Sequence, residues 1–409
     1  MKMNTKNRLN IPFSPPDISQ AEIDEVVDTL RSGWITTGPK TKRFEREIAQ
    51  LSGTMKAVCL SSQTACAEMT LRILGVGPGD EVIVPAYTYT ASASVICHVG
   101  ATPVMIDCQP GSYEMDYDKA EAAITERTKV IIPVDIAGVV CDYDRVFEIV
   151  ENKRHLFCPS DNPVQLALGR IIVMSDAAHA FGARWHGRMC GEIADFTNFS
   201  FHAVKNMTTA EGGAATWREI YGVDSNDLYK RYMLMTLHGQ TKDAFAKDKG
   251  TSWEYDVVDT QYKCNMPDVL AAMGLAQLRR YESIIARRHE LIERYNCAFA
   301  DLDIAVLNHK DAYHRSSGHL YFVRFLGKDA AFRNRFYDRM KRKGVNCNVH
   351  FKPLPMMTAY KNLGFDINDY PHAYDMHQNQ LTLPMNSVLT DDEAQYVMDK
   401  FIETYKELY

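Results

Sequence analysis

The first half of the chain alternates short apolar runs with stretches in which apolar residues recur every three to four positions. Such runs predict buried strands, and such a period predicts helices that pack on them. The predicted strands are KAVCL (56–60), EVIVPA (81–86), TPVMIDC (102–108), TKVIIPVDI (128–136) and RIIVMS (170–175). The predicted intervening helices are 64–75, 90–100 and 116–124. Repeated strand–helix–strand units with nearly all-apolar strands indicate an α/β protein whose mainly parallel sheet carries helices on both faces.

Two further helices are predicted before the first strand. Ser19 and Glu22 have the spacing of a capping box, and Gly33 follows the periodic run as a stop signal. The second helix is predicted to begin at Pro39 and to end near Gly53.

The second half of the chain has a different pattern, which predicts a smaller C-terminal α/β domain. Segment 154–169 breaks the alternation and is predicted to be an inserted surface loop, and polar and glycine-rich sequence dominates 176–215. The elements predicted after it are a long helix over 268–303, strands at 319–325 and 345–351, and helices at 329–343 and 390–407. We therefore expect a large domain over 1–265, which includes the N-terminal helices, and a second unit over 266–409 with the linking helix and the small domain.

Composition excludes several classes of protein. The 409 residues are 46% apolar and 24% charged, with 46 Lys and Arg against 52 Asp and Glu. The chain therefore lacks the excess of basic residues that would predict a surface for nucleic acids or membranes. None of the ten cysteines forms a CxxC pair, which argues against a zinc ribbon, and we expect no metal site. The N-terminal residues lack an apolar signal segment, and no run is long enough to span a membrane, so we expect a cytoplasmic protein.

The junction SSQTACAEMT is a candidate anion site. Ser61, Ser62, Thr64 and Ala65 lie where a strand gives way to a helix, and small residues there let backbone N–H groups approach a phosphate. An N-cap serine or threonine is more often purely structural, so this segment alone decides nothing.

Two ionisable residues follow apolar runs in the same way. Asp176 ends a predicted core strand and needs a partner, which could be a cofactor or only a cap or an ion pair. Lys205 follows the aromatic run FTNFSFHAV, where partial desolvation would lower the pKa of its amine and suit Schiff-base chemistry; the alternative is a surface lysine. His179, taken alone, fits an ordinary hydrogen-bonded histidine.

Together these features match the needs of pyridoxal phosphate (PLP). The phosphate needs N–H donors, the pyridine nitrogen needs an anion and the aldehyde needs an amine. Tyr87 and Tyr89 in PAYTYT follow a strand end and could supply an aromatic ring that stacks on the cofactor.

From about residue 11 to 405 the sequence resembles the DegT/StrS-type PLP-dependent sugar-nucleotide aminotransferases, which have the type I aspartate-aminotransferase fold. The resemblance is carried by SGWITTGP, GPGDEVIVPAYTYTASA, SDAAHAFGA, SFHAVKNMTTAEGG, YKCNMPDVLAAMGLAQL and LTLPM. It implies that Lys205 is the Schiff-base lysine and that Asp176 is the partner of the pyridinium nitrogen. It implies further cofactor contacts from Thr64, Ala65, Tyr89, His179 and Ser200. It also implies a homodimer with shared active sites, in which Lys263, or secondly Asn265, reaches the phosphate of the neighbouring subunit.

The substrate is the part that the resemblance defines least. It implies transfer of an amino group from L-glutamate to a nucleotide-linked keto sugar, and the SFHAVKN–AEGG block is most similar to members that act on UDP-4-keto sugars. We expect substrate contacts from Thr37, His238, Tyr321 and His350. Gln63 stands where the family usually has a glycine, which could change the backbone of the phosphate site.

Two alternatives remain open at this point. A sugar dehydratase of the same fold would have histidine in place of the Schiff-base lysine, and Lys205 argues against it although His202 lies nearby. A non-catalytic regulator would have lost its cofactor residues, and the joint presence of Asp176, Ser200 and Lys205 argues against that.

Overall fold

A computed structural model describes residues 9–242 and 254–409. Its largest sheet has seven strands in the order β1-β9-β8-β5-β4-β2-β3. These strands are β1 (Ala57–Leu60), β2 (Glu81–Pro85), β3 (Thr102–Ile106), β4 (Thr128–Ile131), β5 (Ile172–Asp176), β8 (Phe196–Ser200) and β9 (Gly213–Trp217). Strand β9 is antiparallel to both of its neighbours, whereas the remaining pairs are parallel, so the predicted mainly parallel sheet is confirmed.

Helices cover both faces of this sheet, and the strands are apolar throughout for that reason. Along β2, Val82 and Val84 pack into the core on one face, while Ile83 packs into the core on the other. The helices up to residue 242 are α1 (Gln20–Ser32), α2 (Pro39–Ser52), α3 (Gln63–Ile73), α4 (Ala91–His98), α5 (Tyr117–Ala122), α6 (Tyr143–Asn152), α7 (Pro163–Leu168) and α8 (Ser225–Thr236).

The predicted boundaries of the N-terminal helices are confirmed. Ser19 and Glu22 form the capping box of α1, and Gly33 ends that helix with a positive φ of 77°. Gly53 ends α2 in the same left-handed conformation, with a φ of 71°.

The C-terminal part builds a second core around a smaller sheet. This sheet consists of β10 (Ala305–Val306), β12 (Tyr321–Arg324) and β13 (Gln380–Leu383), all antiparallel. The helices from residue 254 onward are α9 (Asp268–Arg279), α10 (Tyr281–Phe299), α11 (Ala330–Arg342), α12 (Thr358–Asn362), α13 (Pro371–Gln378) and α14 (Asp391–Leu408). The division into domains at residue 265 stays a prediction.

Several sequence-based predictions for the chain after residue 150 are wrong. The supposed loop 154–169 contains a short 3₁₀ turn, Arg154–Leu156, and the helix α7, whose first amides are capped by Asn162. The supposed strand 345–351 makes only isolated bridges, such as the pair between Asn348 and Thr382. Its last two residues bond Tyr87, which follows β2 of the large sheet: the Tyr87 hydroxyl donates to His350 O at 2.7 Å and accepts the N–H of Phe351 at 2.8 Å. The long helix over 268–303 is two helices, α9 and α10, separated at Arg280, whose guanidinium group is held by Asp17 and Glu22.

The polar stretch 176–215 contributes more to the sheet than its composition indicates. It holds all of β8 and the start of β9, and it also forms the short hairpin β6 (Arg184–Trp185) and β7 (Arg188–Met189), which β11 (His314–Arg315) joins. Among the described residues, no helix is both long and apolar enough to cross a membrane.

Candidate active site

A cavity of about 370 Å³ lies at the carboxyl ends of the central strands. The turns after β1, β2, β5 and β8 supply one side of it, and residues of the C-terminal part supply the other. The side chains that line it include Gln63, Thr64, Tyr89, Asp176, His179, Ser200, Lys205, His319 and His350. Since parallel sheets bind ligands at this edge, this cavity is the candidate active site.

One end of the cavity is formed by the start of helix α3. Ser62 adopts an extended backbone, and its Oγ accepts the N–H of Ala65 at 3.0 Å. Strand β9 packs directly against this turn: a Cβ on Gly213 would stand 2.5 Å from the Gln63 nitrogen, so only glycine fits. The N-terminus of a helix carries partial positive charge, and this end of the cavity therefore suits a phosphate group.

The Asp176 carboxylate is held at the end of β5 by donors on both oxygens. Ser92 Oγ donates to Oδ2 at 2.6 Å, and the N–H of Ala178 donates to Oδ1 at 3.1 Å. Ser92 also shares a 2.8 Å hydrogen bond with Thr88, so the carboxylate is anchored through a chain of hydroxyl groups. Burial raises the pKa of Asp176, and these donors together with the charge of Lys205 oppose that rise.

Lys205 lies in the loop after β8 and lines the same cavity as Asp176. Its side chain is half-buried, and the cavity walls shield the amine enough that desolvation lowers the pKa of Lys205 to about 8. The negative charge of Asp176 acts in the opposite direction. About a tenth of this amine is therefore uncharged at pH 7, far more than at the ordinary lysine pKa of about 10.4, and the uncharged form is the nucleophile.

Three histidines surround the lysine. His179 Nδ1 accepts the N–H of Ala137 at 3.1 Å, which places the ring proton on Nε2. Its ring lies 4.5 Å from that of His319, whose Nδ1 hydrogen-bonds Asn206 Oδ1 at 2.8 Å. Burial and the charge of Lys205 lower the pKa of His179 well below its usual range and that of His350 to about 3, so both rings are neutral.

Several of these residues carry no local signal in the sequence. His319 follows no strand end and was expected only as part of a strand, and Ser92 lies inside helix α4. His319 hydrogen-bonds Asn206, which lies 113 positions away, and Ser92 hydrogen-bonds Asp176, which lies 84 positions away. No local sequence pattern indicates contacts between residues so far apart in the chain.

Other predicted site residues lie away from the cavity of their own chain. Ala65 does not line the cavity, and its N–H is taken up by Ser62. The remaining ones are Thr37, His238, Lys263 and Asn265, which we call the Lys263 cluster. Asn265 hydrogen-bonds both Lys263 and Thr37, Leu237 forms a backbone bridge with Lys263, and the N–H of His238 donates to Tyr262 O at 2.7 Å.

The predicted substrate contact of Tyr321 is wrong. Its side chain is fully buried among Tyr295 and Phe299, and its hydroxyl donates to Asn296 at 2.7 Å. Alternation along β12 explains this position, because Leu320 faces the cavity and the next side chain must face the opposite side of the sheet.

A second cavity of about 450 Å³ lies elsewhere, between the β6–β7 hairpin and the small sheet. Trp185, Tyr313 and Phe322 form much of its wall, and no lysine lines it. Although it is larger, it lacks the amine and the buried strand-end carboxylate, so the chemistry belongs to the first cavity.

The residues of the first cavity fit PLP. A helix N-terminus can take the phosphate, the buried Asp176 carboxylate can face a protonated ring nitrogen, and Lys205 offers an amine with a lowered pKa. A family model, the DegT/DnrJ/EryC1/StrS aminotransferase family, matches residues 16–402.

The chain belongs to this family. Its structure superposes on the "putative sugar aminotransferase Spr1654" of Streptococcus pneumoniae with a TM-score of 0.94 and 55% identity, over 98% of each chain, in the apo form. The same relative has been solved in a PLP form and a PMP form, each with a TM-score of 0.94 and 54% identity.

Two further relatives are less similar in sequence to this chain. The "spore coat polysaccharide biosynthesis protein SpsC" of Bacillus subtilis is 36% identical over 395 residues, which is 95% of each protein. PseC of Helicobacter pylori, an aminotransferase involved in the biosynthesis of pseudoaminic acid, has a TM-score of 0.84 at 25% identity and matches 97% of this chain and all of its own. The fold is therefore that of the type I aminotransferases, and the protein is a PLP-dependent aminotransferase.

Proposed function

We propose that this aminotransferase moves the amino group of L-glutamate to a keto group of a nucleotide-linked sugar, and that a UDP-4-keto sugar is its substrate class. The observation that carries the proposal is the placement of Lys205 and Asp176 in one cavity of a chain that belongs to this family. The solved relative at 55% identity is described as a putative sugar aminotransferase, and the B. subtilis relative as a protein of polysaccharide biosynthesis. Both descriptions support a sugar as the amino acceptor.

In this proposal each cavity residue has one task. Bound PLP supplies the reactive aldehyde and a ring that accepts electrons. Lys205 holds the cofactor through its amine and, once displaced, carries a proton to and from the reacting carbon. Asp176 keeps a negative charge opposite the ring nitrogen, while Thr64, Ser200 and the start of α3 bind the phosphate. His179, with its proton on Nε2, is a donor for the phenolic oxygen of the cofactor.

The sugar nucleotide would enter from the open side of the cavity. Tyr89 is 60% exposed there and lies 5.8 Å from Phe351, ring centre to ring centre. His350 lines the same side, and its Nδ1 is held by Thr382 Oγ1 at 2.9 Å. Aromatic faces at an open rim can bind a flat or ring-shaped ligand by stacking.

We also propose a homodimer in which each cavity is completed by the partner. The resemblance implies that Lys263, or secondly Asn265, reaches the phosphate of the neighbouring subunit, and we expect substrate contacts from Thr37 and His238. These four residues of the Lys263 cluster form a connected group outside the cavity of their own chain. A symmetric dimer would bring this cluster of one protomer to the cavity of the other.

The proposal is tested by presenting purified PLP-loaded enzyme with UDP-, GDP- and dTDP-linked keto sugars and glutamate, and by following the release of 2-oxoglutarate. We expect turnover with a UDP-4-keto sugar and none with Lys205→Ala. Loss of water from the sugar without 2-oxoglutarate would instead indicate a dehydratase, and a protein that binds PLP but turns over no nucleotide sugar would contradict the proposal.

A further inference from the structure

Gln63 is a buried polar residue that the proposed reaction does not use. It is the first residue of α3, and only 5% of it is exposed. Its side chain borders both the active-site cavity and a small void behind it, where Ser92, Asp176 and Asn198 also lie. Gln63 lies in the turn from β1 to α3, where a small residue would fit more easily than this long amide side chain.

The amide nitrogen of Gln63 has no hydrogen-bond partner among the described residues. A buried donor without a partner costs about 1–3 kcal/mol, so an acceptor in the working state of the protein would stabilise it. Asn198 Nδ2, which borders the same void, also lacks a partner among the described residues. The side chains bordering the void include one strong acceptor, the Asp176 carboxylate, whose two oxygens already accept from Ser92 and Ala178.

We propose that Gln63 is a positioning residue for the cofactor: its amide donates to the Asp176 carboxylate and keeps that group ionised and oriented toward the ring nitrogen. A carboxylate can accept about four hydrogen bonds, so a third donor is compatible with the two in place. The Gln63 amide is one of the groups that lower the pKa of Asp176, although its Nε2 makes no hydrogen bond of standard geometry. The inference concerns PLP binding and does not depend on which sugar is the substrate.

The backbone around Gln63 is closely packed, which makes its side chain a suitable position for substitution. The backbone nitrogen of Gln63 lies close to Gly213, where a Cβ would stand 2.5 Å from it, so β9 packs directly against the turn that carries this side chain. The hydroxyl chain from Thr88 through Ser92 approaches the same carboxylate from α4. Gln63 and Ser92 thus approach Asp176 from two different helices, α3 and α4.

The test measures the Kd of PLP for the apo-protein as a function of pH. Affinity falls at low pH as Asp176 becomes protonated, and removal of a donor raises the pKa of a carboxyl group. We expect Gln63→Met to weaken PLP binding about tenfold at neutral pH and to move the midpoint of the pH profile up by about one pH unit, as expected for the loss of one hydrogen bond to a charge. Ser92→Ala should move the midpoint in the same direction.

Two further variants separate positioning from packing. Gln63→Glu keeps the size of the side chain but replaces the donor by an acceptor, so the midpoint should rise at least as far as in Gln63→Met. Gln165→Met removes another buried amide, which bonds Leu74 O at 2.7 Å and borders neither the cavity nor the void, and its midpoint should equal that of the wild type. Gln63→Glu adds one carboxyl group to the cavity, whereas Gln63→Met and Gln165→Met add none. The other ionisable side chains that line the cavity are the same in all variants; these are Tyr89, Asp135, His179, His202, Lys205, Glu211, His319 and His350.

An unchanged midpoint in both Gln63 variants would overturn the inference, even if their Kd values rise, because a packing defect weakens binding equally at every pH. The inference would also be overturned if Gln165→Met shifted the midpoint of the pH profile as far as Gln63→Met does. Thermal unfolding of each apo-protein confirms that the variants compared are folded.

Discussion

At the scale of single residues, burial and neighbouring charge have opposing effects on the pKa values of the two main active-site groups. Desolvation lowers the pKa of Lys205, which favours the free amine, while the same effect raises the pKa of Asp176 and would neutralise it. Each residue partly offsets the shift of the other through its charge, and Ser92 adds a hydrogen bond that only Asp176 receives. The lysine is therefore reactive near neutral pH while the carboxylate keeps its anionic form available.

This opposition predicts how fast apo-protein captures PLP at different pH values. Only the uncharged amine reacts, so the capture rate should rise about tenfold per pH unit and level off above about pH 8, where the pKa of Lys205 lies. Asp176→Asn removes the charge that raises this pKa, and the midpoint should move to lower pH. Stopped-flow absorbance of PLP and apo-protein measures both profiles, with Lys205→Ala as the control that captures none. A midpoint near 10.4, the ordinary lysine value, would show that the amine is fully solvated.

The same scale shows why some site residues could be predicted and others could not. Asp176 and Lys205 each follow an apolar run, and this local signal places a polar group at the end of a buried strand. His319 and Ser92 carry no such signal, since their partners are far away in the chain. Tyr321 was expected to contact the substrate, but the alternation of side chains along β12 turns it to the other face of the sheet.

At the scale of elements, a similar contrast applies to the fold. Elements of the first half such as α1, α2 and β2 were predictable because they have a clear period and are bounded by glycine, proline or a capping residue. Helix α6 was not predicted, and α7 lies in the segment predicted as a loop. Strands β8 and β9 lie in a polar, glycine-rich stretch, and they are strands because their neighbours in the sheet supply the hydrogen bonds. The break between α9 and α10 is held by Asp17 and Glu22, which lie about 260 positions earlier.

One element-scale contact connects the N-terminal helices to the rest of the molecule. The fully buried Asp268 carboxylate caps α2 from the start of α9: it accepts the N–H of Gly38 at 2.8 Å, that of Lys40 at 3.0 Å and that of Thr41 at 2.8 Å. The hydroxyl group of Thr41 donates to it as well, at 2.7 Å. This one side chain therefore satisfies donors that helix α2 cannot satisfy itself.

Asp268→Ala should therefore lower the free energy of unfolding by about 3 kcal/mol or more, because several buried donors lose their acceptor at once. Urea unfolding of the apo-protein measures the effect. A suitable comparison is Asp118→Ala, which removes a 90% exposed carboxylate paired with Arg145 and should cost less than about 1 kcal/mol. Equal losses in the two variants would show that the cap adds nothing beyond a surface ion pair.

At the scale of the whole molecule, the distribution of predicted site residues is the informative feature. Residues expected around the cofactor ring lie in one cavity, whereas Thr37, His238, Lys263 and Asn265 lie together outside it. If one chain formed a complete site, both groups should line the same cavity. The arrangement is the one expected when a second copy supplies the missing wall, which is why we propose a symmetric dimer with shared sites.

A subunit-mixing experiment tests this arrangement directly. We expect Lys205→Ala and Lys263→Ala homodimers each to be strongly impaired, since every site in them lacks one of the two lysines. In a heterodimer of the two variants, one site combines both defects, and the other has Lys205 from one chain and Lys263 from its partner. If Lys263 acts on the neighbouring cavity, an equal mixture refolded together should regain about a quarter of the wild-type activity, because half of the dimers are mixed and each has one intact site. If Lys263 instead serves the cavity of its own chain, mixing creates no intact site, and the activity should stay at the average of the two parent variants.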